Sequence, residues 1–143
     1  MSNLPEKILL QVVTPQRLVV REEVDYVLLP GSEGYLGALP GHTPLLTALK
    51  IGEIEYRTGT VSKYLAVSWG FVEILPDKVT VLADLAERAE EIDVERARRA
   101  QERAQATLQN PDANFLLYQT ALEKALVRLQ VASKVAPISA PQH

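Results

Sequence analysis

The stretch that decides the fold runs from Asp84 to Ala136 and reads DLAERAEEIDVERARRAQERAQATLQNPDANFLLYQTALEKALVRLQVASKVA. It contains eleven Ala, a single Pro and no Gly, a composition that favours helix. All seven Gly and six of the nine Pro of the 143-residue chain lie before residue 77 instead. The two parts of the chain are therefore expected to be different kinds of structure.

The N-terminal part carries short apolar runs that are separated by turn signals such as Thr58-Gly59. Runs of this length between Gly and Pro residues are typical of strands in an all-β sandwich or barrel. The predicted strands are Ile8–Val13, Leu18–Val20, Val24–Leu29, Ile54–Arg57, Tyr64–Val67, Phe71–Leu75 and Val79–Ala83. We therefore expect a β-sandwich domain over residues 1–86.

Pro111 divides the C-terminal stretch into two helices, predicted at residues 93–109 and 113–135. Asp93 is placed to cap the first helix, because a carboxylate there accepts a hydrogen bond from a first-turn amide. Either Asn110 or Asp112 is expected to cap the second. The short connection predicts an antiparallel two-helix hairpin over residues 87–136, followed by a disordered tail over residues 137–143. The predicted fold class is α+β, a sandwich followed by this hairpin.

The apolar stripes of the two helices are rich in Ala. They comprise Ala97, Ala100, Ala104 and Leu108 in the first helix, and Tyr118, Leu122, Ala125, Leu129 and Ala132 in the second. An Ala seam buries less apolar surface than a Leu seam of equal length, so the helices are expected to dock weakly. Such a hairpin could open without unfolding its helices, although a static packing element is the commoner outcome for Ala-rich hairpins.

Composition excludes several classes of function. The chain has no Cys, which removes disulfides, thiolate zinc sites and thiol nucleophiles, and His42 and His143 are too few for a histidine metal cluster. A net charge of -3 argues against a nucleic-acid binder. No apolar stretch reaches the length of a membrane span, and no signal or transit peptide is visible at residues 1–7.

The glycine-rich segment at residues 30–44 resembles a phosphate-binding loop only superficially. Gly31, Gly34 and Gly37 recur at every third residue without the Lys-Ser/Thr pair of a P-loop or the spacing of a dinucleotide fingerprint. We interpret the segment as tight turns beside a surface projection. The apolar run that follows begins with Leu45 and Leu46, which are expected to be buried in the sandwich or in a contact with a partner. No catalytic constellation accompanies His42.

A second candidate site lies on the helices. Arg96 and Arg103 are seven residues apart on one helical face, and Lys124 and Arg128 are four apart on another. If the hairpin folds back, the four cations could converge on an anion such as a phosphate. The alternative is that they are ordinary salt-bridge partners on a solvated surface.

The sequence resembles the epsilon subunit family of the bacterial F-type ATP synthase. The likeness is carried by LPGSEGYLGALPGHTPLLTAL at residues 29–49, by Gly52-x-Ile54, by Gly70-Phe-x-Glu73 and by VTVLAD at residues 79–84. The resemblance implies a sandwich that binds the γ subunit and sits on the membrane c-ring. It also implies a helical hairpin that can extend along γ into the alpha-beta catalytic hexamer and inhibit ATP hydrolysis.

The resemblance also assigns roles to residues of the sandwich. It implies that the c-ring is contacted by the loop comprising Gly31, Ser32, Glu33, Gly34 and Tyr35, and that His42 contacts γ. Tyr35 stands where some relatives have Glu, which replaces a polar contact by an aromatic one. Trp69 stands where relatives usually carry a second Gly beside Gly70, and the resemblance offers no role for it.

On the helices the resemblance implies a regulatory ATP site, since Ile92-Asp93-x-x-Arg96-Ala97 is similar to the motif with which some bacterial epsilon subunits bind ATP. The remaining matched positions are Glu87, Arg103, Lys124 and Arg128. Lys124 replaces the Arg of some ATP binders, which keeps the charge and loses the planar fork. The motif also occurs in relatives that bind ATP weakly or not detectably.

Three hypotheses about function follow. The first is a non-catalytic rotor subunit at the cytoplasmic face of the bacterial plasma membrane, which requires no cofactor and couples γ to the c-ring. The second is a regulatory module whose principal act is to sense ATP. The third is a generic β-sandwich adaptor that binds neither γ nor nucleotide. An enzyme is the least favoured class.

Overall fold

A computed structural model describes residues 5–135, so the predicted disordered tail lies outside the described residues. The described chain divides into two compact units between Arg88 and Ala89. Eight strands form the first unit, and a 3-10 turn at Ala89–Glu91 followed by two α-helices forms the second. The predicted α+β class is confirmed.

The elements follow one another along the chain with short connections. The strands are β1 (Ile8–Val13), β2 (Leu18–Val24), β3 (Tyr26–Gly31), β4 (Gly34–Ala38), β5 (Leu45–Leu49), β6 (Gly52–Thr58), β7 (Val61–Leu75) and β8 (Lys78–Arg88), and the helices are α1 (Val94–Leu108) and α2 (Phe115–Ala132).

The long strand β7 belongs to both layers of the sandwich. Its first half, residues 61–67, pairs with β6, and residues 70–74 of its second half pair with β5. Strand β8 pairs with residues on both sides of this change, from Leu65 to Leu75. One layer therefore has the order β2-β1-β8-β7-β5, and the other joins β4, β3 and β6 to the first half of β7. The two strands predicted at 64–67 and 71–75 are thus one strand that changes its neighbour.

Residue Gly70 makes this change of neighbour possible. Its φ of +141° is rarely adopted by L-residues, and a Cβ at this position would lie 1.8 Å from the carbonyl oxygen of Leu82 on β8. Only Gly lets the two backbones approach so closely. The interpretation of residues 68–70 as a break between strands was therefore wrong, because hydrogen bonding to β8 continues on both sides of the corner.

The core of the first unit lies between its two layers and is built largely from branched aliphatic side chains. Its largest fully buried members include Ile8, Leu10, Val12, Val24, Val27, Leu29, Ile54, Leu65, Val72, Ile74 and Val79. They alternate with more exposed residues along strands such as β1 and β6, which is the pattern of a strand with one face against a core.

Asp25 connects the chain near the start of β1 to the β6–β7 turn. Its carboxylate accepts hydrogen bonds from Lys7 Nζ at 2.5 Å and from the Gly59 N–H at 2.6 Å. The bond from the Lys7 ammonium, followed by the Gly59 amide, holds the pKa of Asp25 below its usual value. The ionised form of Asp25 is therefore the one that the folded chain favours.

The prediction for the glycine-rich segment was wrong in part. Gly34 and Gly41 do have positive φ, but Gly31 and Gly37 lie inside strands and are close to other groups. A Cβ on Gly37 would lie 3.0 Å from the ring of Tyr26 on β3. Strand β4 was missed because these glycines were assigned to turns rather than to a strand packed under an aromatic ring.

The helical unit follows the predicted pattern with one correction. The Asp93 side chain accepts from the Arg96 N–H at 3.0 Å and caps α1, as predicted. The cap of α2 is Asn114, which accepts from the Leu117 N–H at 3.1 Å, so the assignment to Asn110 or Asp112 was wrong. Asn110 instead accepts from the Asp112 N–H and closes a turn around the proline.

Helices α1 and α2 contact each other along a seam of small residues. The buried residues of the two helices are Ala97, Ala104, Ala125 and Val131. The other predicted stripe members, such as Ala100 and Leu129, are half-buried. The seam is therefore as poor in apolar area as the composition indicated.

The constraint at Gly70 can be tested against a second glycine of positive φ. At Gly34, whose φ is +124°, a Cβ would have nothing within 4 Å. We expect Gly34→Ala to lower the free energy of unfolding by about 1–3 kcal/mol through backbone strain alone. Gly70→Ala should cost more than about 4 kcal/mol, because it adds the collision with Leu82. Urea titration, followed by the fluorescence of the only Trp, measures both, and equal losses would contradict the assigned role of Gly70.

Candidate functional site

Residues 31–35 form the tip of a β-hairpin rather than an irregular loop. Gly31 pairs with Gly34 across a two-residue turn at Ser32 and Glu33. The Ser32 N–H donates to the Ala48 carbonyl at 3.0 Å, which holds the tip against β5. Ser32 is half-buried, whereas Glu33 is exposed, so Glu33 is the ionisable group that the turn presents to its surroundings.

Tyr35 supports this hairpin from its base. Its hydroxyl oxygen accepts a hydrogen bond from the Glu53 N–H at 2.9 Å, although more than half of the side chain is exposed. A Cβ on Gly52 would lie only 2.7 Å from the same oxygen, so a side chain there would collide with Tyr35. Tyr35 thus connects β4 to the start of β6, which is a structural use for the aromatic residue at this position.

His42 lies in the connection between β4 and β5. Its ring Nδ1 donates to the Thr43 carbonyl oxygen at 2.5 Å, and its backbone N–H donates to the Leu39 carbonyl oxygen. The neighbouring Gly41 N–H donates to Pro76 in the β7–β8 turn at 2.7 Å. The connection is therefore held at the end of the sheet where β5 begins.

An apolar row crosses the outer face of the first layer beside the corner at Gly70. The register of the strands places its five members side by side: Ala48, Phe71, Leu82, Val13 and Leu18. Phe71 is 59% exposed and Leu82 is 54% exposed. Leu45 is 41% exposed and Leu46, in the adjacent row, is 71% exposed, so the sandwich does not bury Leu46 and the expected partner contact stays a prediction.

Sequence reasoning missed this outer row. Its members come from five strands, and each belongs to a short apolar run in which the neighbouring residue is buried in the core. The signal lies in the register, which brings them to the same level of the sheet. A continuous apolar surface of this kind marks a contact site for another molecule.

The Ile92-Asp93-x-x-Arg96-Ala97 motif has structural roles at three of its four defined positions. Ile92 and Ala97 are buried, and the Asp93 carboxylate caps α1. Arg96 is the exposed member. The motif therefore specifies the start of the helix in addition to any ligand that it binds.

The four cations lie along one side of the helix pair. Arg96, Arg103 and Lys124 each directly precede a buried Ala, and Arg128 is one turn beyond Lys124. Successive residues of a helix are about 100° apart, so each of these cations is rotated away from the buried residues of the seam in the same sense around its helix. In an antiparallel pair, equal displacements from the seam fall on the same side, so the structure places these four residues along one edge.

The remaining charged residues of the hairpin are distributed differently. Glu95, Glu102 and Glu123 each lie two residues before a buried Ala, about 200° around the helix and hence away from the seam. Glu95 pairs with Arg98 on the outer surface. Glu87, the eighth predicted ligand residue, belongs to β8 of the first unit, opposite Ala66. The helical unit thus contains seven of the eight residues that the resemblance assigns to the ATP site.

Comparisons with known proteins match both units. Residues 7–89 match the family described as ATP synthase, Delta/Epsilon chain, beta-sandwich domain, and residues 90–133 match its long alpha-helix domain. The chain is 49% identical to the ATP synthase epsilon chain of Citrifermentans bemidjiense over 134 residues, which cover 92% of this chain and 97% of that one. It is 48% identical to that of Geotalea uraniireducens with the same coverage. The chain belongs to the ATP synthase epsilon chain family.

Solved structures agree with this assignment. This chain is similar to a chain in the cryo-EM structure of the Euglena gracilis mitochondrial ATP synthase, OSCP/F1/c-ring, with a TM-score of 0.80 and 28% identity over 92% of this chain and 84% of that one. A chain of the Tetrahymena thermophila mitochondrial enzyme, central stalk and c-ring, shares the fold at a TM-score of 0.57 and 16% identity, over 90% of this chain and 95% of that one. Membership in the family excludes the generic adaptor hypothesis.

An epsilon chain is a subunit of the F1 sector and central stalk, and it is associated with the membrane as part of that complex. Within residues 5–135, no helix is long and apolar enough to cross a membrane. The same range contains no group of three or more His, Asp or Glu residues arranged to hold a metal ion.

The capping role of Asp93 predicts how two substitutions will differ. Asp93→Asn retains a side-chain oxygen that accepts from the Arg96 N–H, so the free energy of unfolding should change by less than about 0.5 kcal/mol. Asp93→Ala removes the cap and should cost about 1 kcal/mol. Thermal melting followed by circular dichroism at 222 nm measures the helical unit. Equal destabilisation by the two substitutions would contradict the capping role.

Proposed function

We propose that the chain is a non-catalytic rotor subunit that couples γ to the c-ring and inhibits ATP hydrolysis through its C-terminal helices. Its place in the cell is the cytoplasmic face of the bacterial plasma membrane, where it is held by the complex. The observation that carries the proposal is the apolar outer row of the first unit. A surface with Phe71 and Leu82 more than half exposed requires a partner, and γ is the partner that the family offers.

The sandwich supplies two distinct contacts in this proposal. The outer row binds γ, and the resemblance adds His42, which lies on the connection before β5, to the same contact. The hairpin of Gly31, Ser32, Glu33, Gly34 and Tyr35 contacts the c-ring, and Glu33 is its exposed charge. Both contacts rest on strands that are fixed by the core, so they are suited to transmit force.

The helical unit supplies the inhibitory element. Its seam is made of Ala97, Ala104, Ala125 and Val131, which limits the apolar area that holds the helices together. The first turn of α2 exposes Phe115, Leu116 and Leu117, each by more than half. In this proposal, extension into the alpha-beta hexamer buries these three side chains. Their exposure in the chain alone is the observation that supports hexamer binding by α2.

The test is ATP hydrolysis by a cognate alpha-beta-γ core with either the full chain or a truncation after Arg88. The truncation must retain Arg88, because its guanidinium donates to the Val19 carbonyl at 2.7 Å and β8 extends to this residue. Both forms should bind the core, and the full chain alone should lower the rate, by about 10-fold or more if the helices block the catalytic cycle. Equal rates with both forms bound would remove the inhibitory role. Failure of both to bind would remove the rotor role.

A second function, the sensing of ATP, is favoured by the edge of the helix pair that carries Arg96, Arg103, Lys124 and Arg128. A guanidinium group can donate two parallel hydrogen bonds to the oxygens of one phosphate. The carboxylates of α1 and α2 lie about 200° around their helices from the buried Ala residues, and therefore not on this edge. Bound ATP would stabilise the closed hairpin and oppose its extension. ATP is then a regulatory ligand rather than a required cofactor.

The ATP site can be tested by thermal shift. ATP should raise the Tm of the full chain, and Arg96→Ala or Arg128→Ala should weaken apparent binding by about 10-fold, because each removes a charge-assisted contact. Arg98→Ala is the matched control, since Arg98 pairs with Glu95 on the outer surface. Lys124→Arg should tighten binding by restoring a planar fork. Equal ATP shifts in all four variants would exclude the site.

A further inference from the structure

Trp69 has a backbone conformation that is unusual for its size. Its φ is +47°, and it is the non-glycine residue with positive φ within residues 5–135. Bulky side chains are disfavoured in this region because the Cβ crowds the backbone, and Gly or Asn is normally found there. A large aromatic residue at this position needs a reason that local backbone preference does not supply.

The residues on either side of Trp69 are also poor choices for stability alone. The Ser68 hydroxyl is buried and, among the described residues, has no hydrogen-bond partner. Gly70 is required by the collision with Leu82 described above. Strained conformations and unsatisfied polar groups cluster at functional sites, because selection for function tolerates their cost. The corner at residues 68–70 is therefore a candidate for a function of its own.

The side chain of Trp69 lies beside the apolar outer row. Along β7, Trp69, Phe71 and Glu73 are exposed and alternate with the less exposed Gly70, Val72 and Ile74. Residue 69 lies two positions before residue 71 and is therefore its neighbour along the exposed face of β7. Leu85 of β8, which is 53% exposed, pairs with Ser68 on the other side of the corner. Trp69, itself 43% exposed, thus extends the apolar surface toward the corner.

We infer that Trp69 is an affinity anchor of the surface that binds γ, held in position by its left-handed backbone. The inference rests on the proposed function, in which the outer row is the γ contact. Trp is the residue type most enriched among those that dominate binding energy, because it buries a large rigid area and offers an N–H donor. Exposed Glu73 and Asp84 lie on this face of β7 and β8. The complementary surface on γ should therefore be an apolar recess bordered by basic side chains.

Binding of the full chain to immobilised cognate γ tests the inference. Trp69→Asn removes the indole but keeps a residue that tolerates positive φ, and it should weaken the Kd by at least about 10-fold while the Tm does not fall. Trp69→Tyr retains an aromatic ring and should stay within about 3-fold of the wild-type Kd. Val61→Asn is the matched control, because Val61 is a 56% exposed apolar residue at the start of β7, away from the corner, and the Kd of this variant should remain within about 2-fold of the wild-type value.

A spectroscopic measurement on the unsubstituted chain gives an independent answer. Trp69 is the only Trp, so incorporation of 5-fluorotryptophan gives one fluorine resonance that belongs to this residue. Saturation with unlabelled γ should abolish its solvent isotope shift between H2O and D2O, because the indole becomes buried. If Trp69→Asn does not fold, this measurement alone decides.

The outcomes separate the inference from the proposed function. If the wild-type chain binds γ, Phe71→Ser weakens binding and Trp69→Asn does not, then the outer row is the contact and the role of Trp69 is overturned. An unchanged solvent isotope shift at saturating γ also overturns it. If the wild-type chain does not bind γ, the proposed contact fails and the inference fails with it.

Discussion

The close approach of Gly70 to the carbonyl of Leu82 is the contact on which the first unit depends. Strand β7 changes its neighbour from β6 to β5 at this point, while β8 pairs with it on both sides of the corner, from Leu65 to Leu75. Any side chain at residue 70 would push the two strands apart, since a Cβ would lie 1.8 Å from that oxygen. The register of the outer row, which aligns Phe71 with Leu82 directly beside the corner, follows from the same approach.

Local sequence signals predicted the elements whose structure is decided locally. Strand β1 was predicted with its observed bounds, and both helices were predicted within three residues at each end. The misses occur where a distant contact decides. Gly37 lies in a strand because the ring of Tyr26 occupies the space of a side chain, and the cap of α2 is Asn114 because the turn around Pro111 uses Asn110 for its own hydrogen bond.

The candidate sites divide along the same line. Helical spacing is fixed by the backbone, so the common edge of Arg96, Arg103, Lys124 and Arg128 could be expected once the hairpin was predicted. The apolar outer row could not, because its residues are neighbours only through the register of five strands. The expectation for Leu46 left the sandwich and a partner contact open for a related reason. An apolar residue in a strand faces either the core or a partner, and the sequence of one strand does not distinguish the two.

The two units differ in the size of the side chains that they bury, and this difference is what the proposed movable hairpin requires. A Leu side chain has three more carbons than Ala, which corresponds to roughly 2 kcal/mol of transfer free energy per buried position. Replacement of Leu by Ala at the three buried Ala positions of the seam therefore forgoes about 6 kcal/mol, which is comparable to the whole stability of a small domain. The sandwich has no such deficit, because large aliphatic residues such as Ile54 and Leu65 fill its core.

The exposed Phe115, Leu116 and Leu117 hold apolar area that the closed hairpin does not bury, so contact with another subunit can offset the loss of the seam. In the proposed function, the hairpin therefore opens at a cost that a partner surface or a ligand is able to shift, while the sandwich retains its proposed contacts.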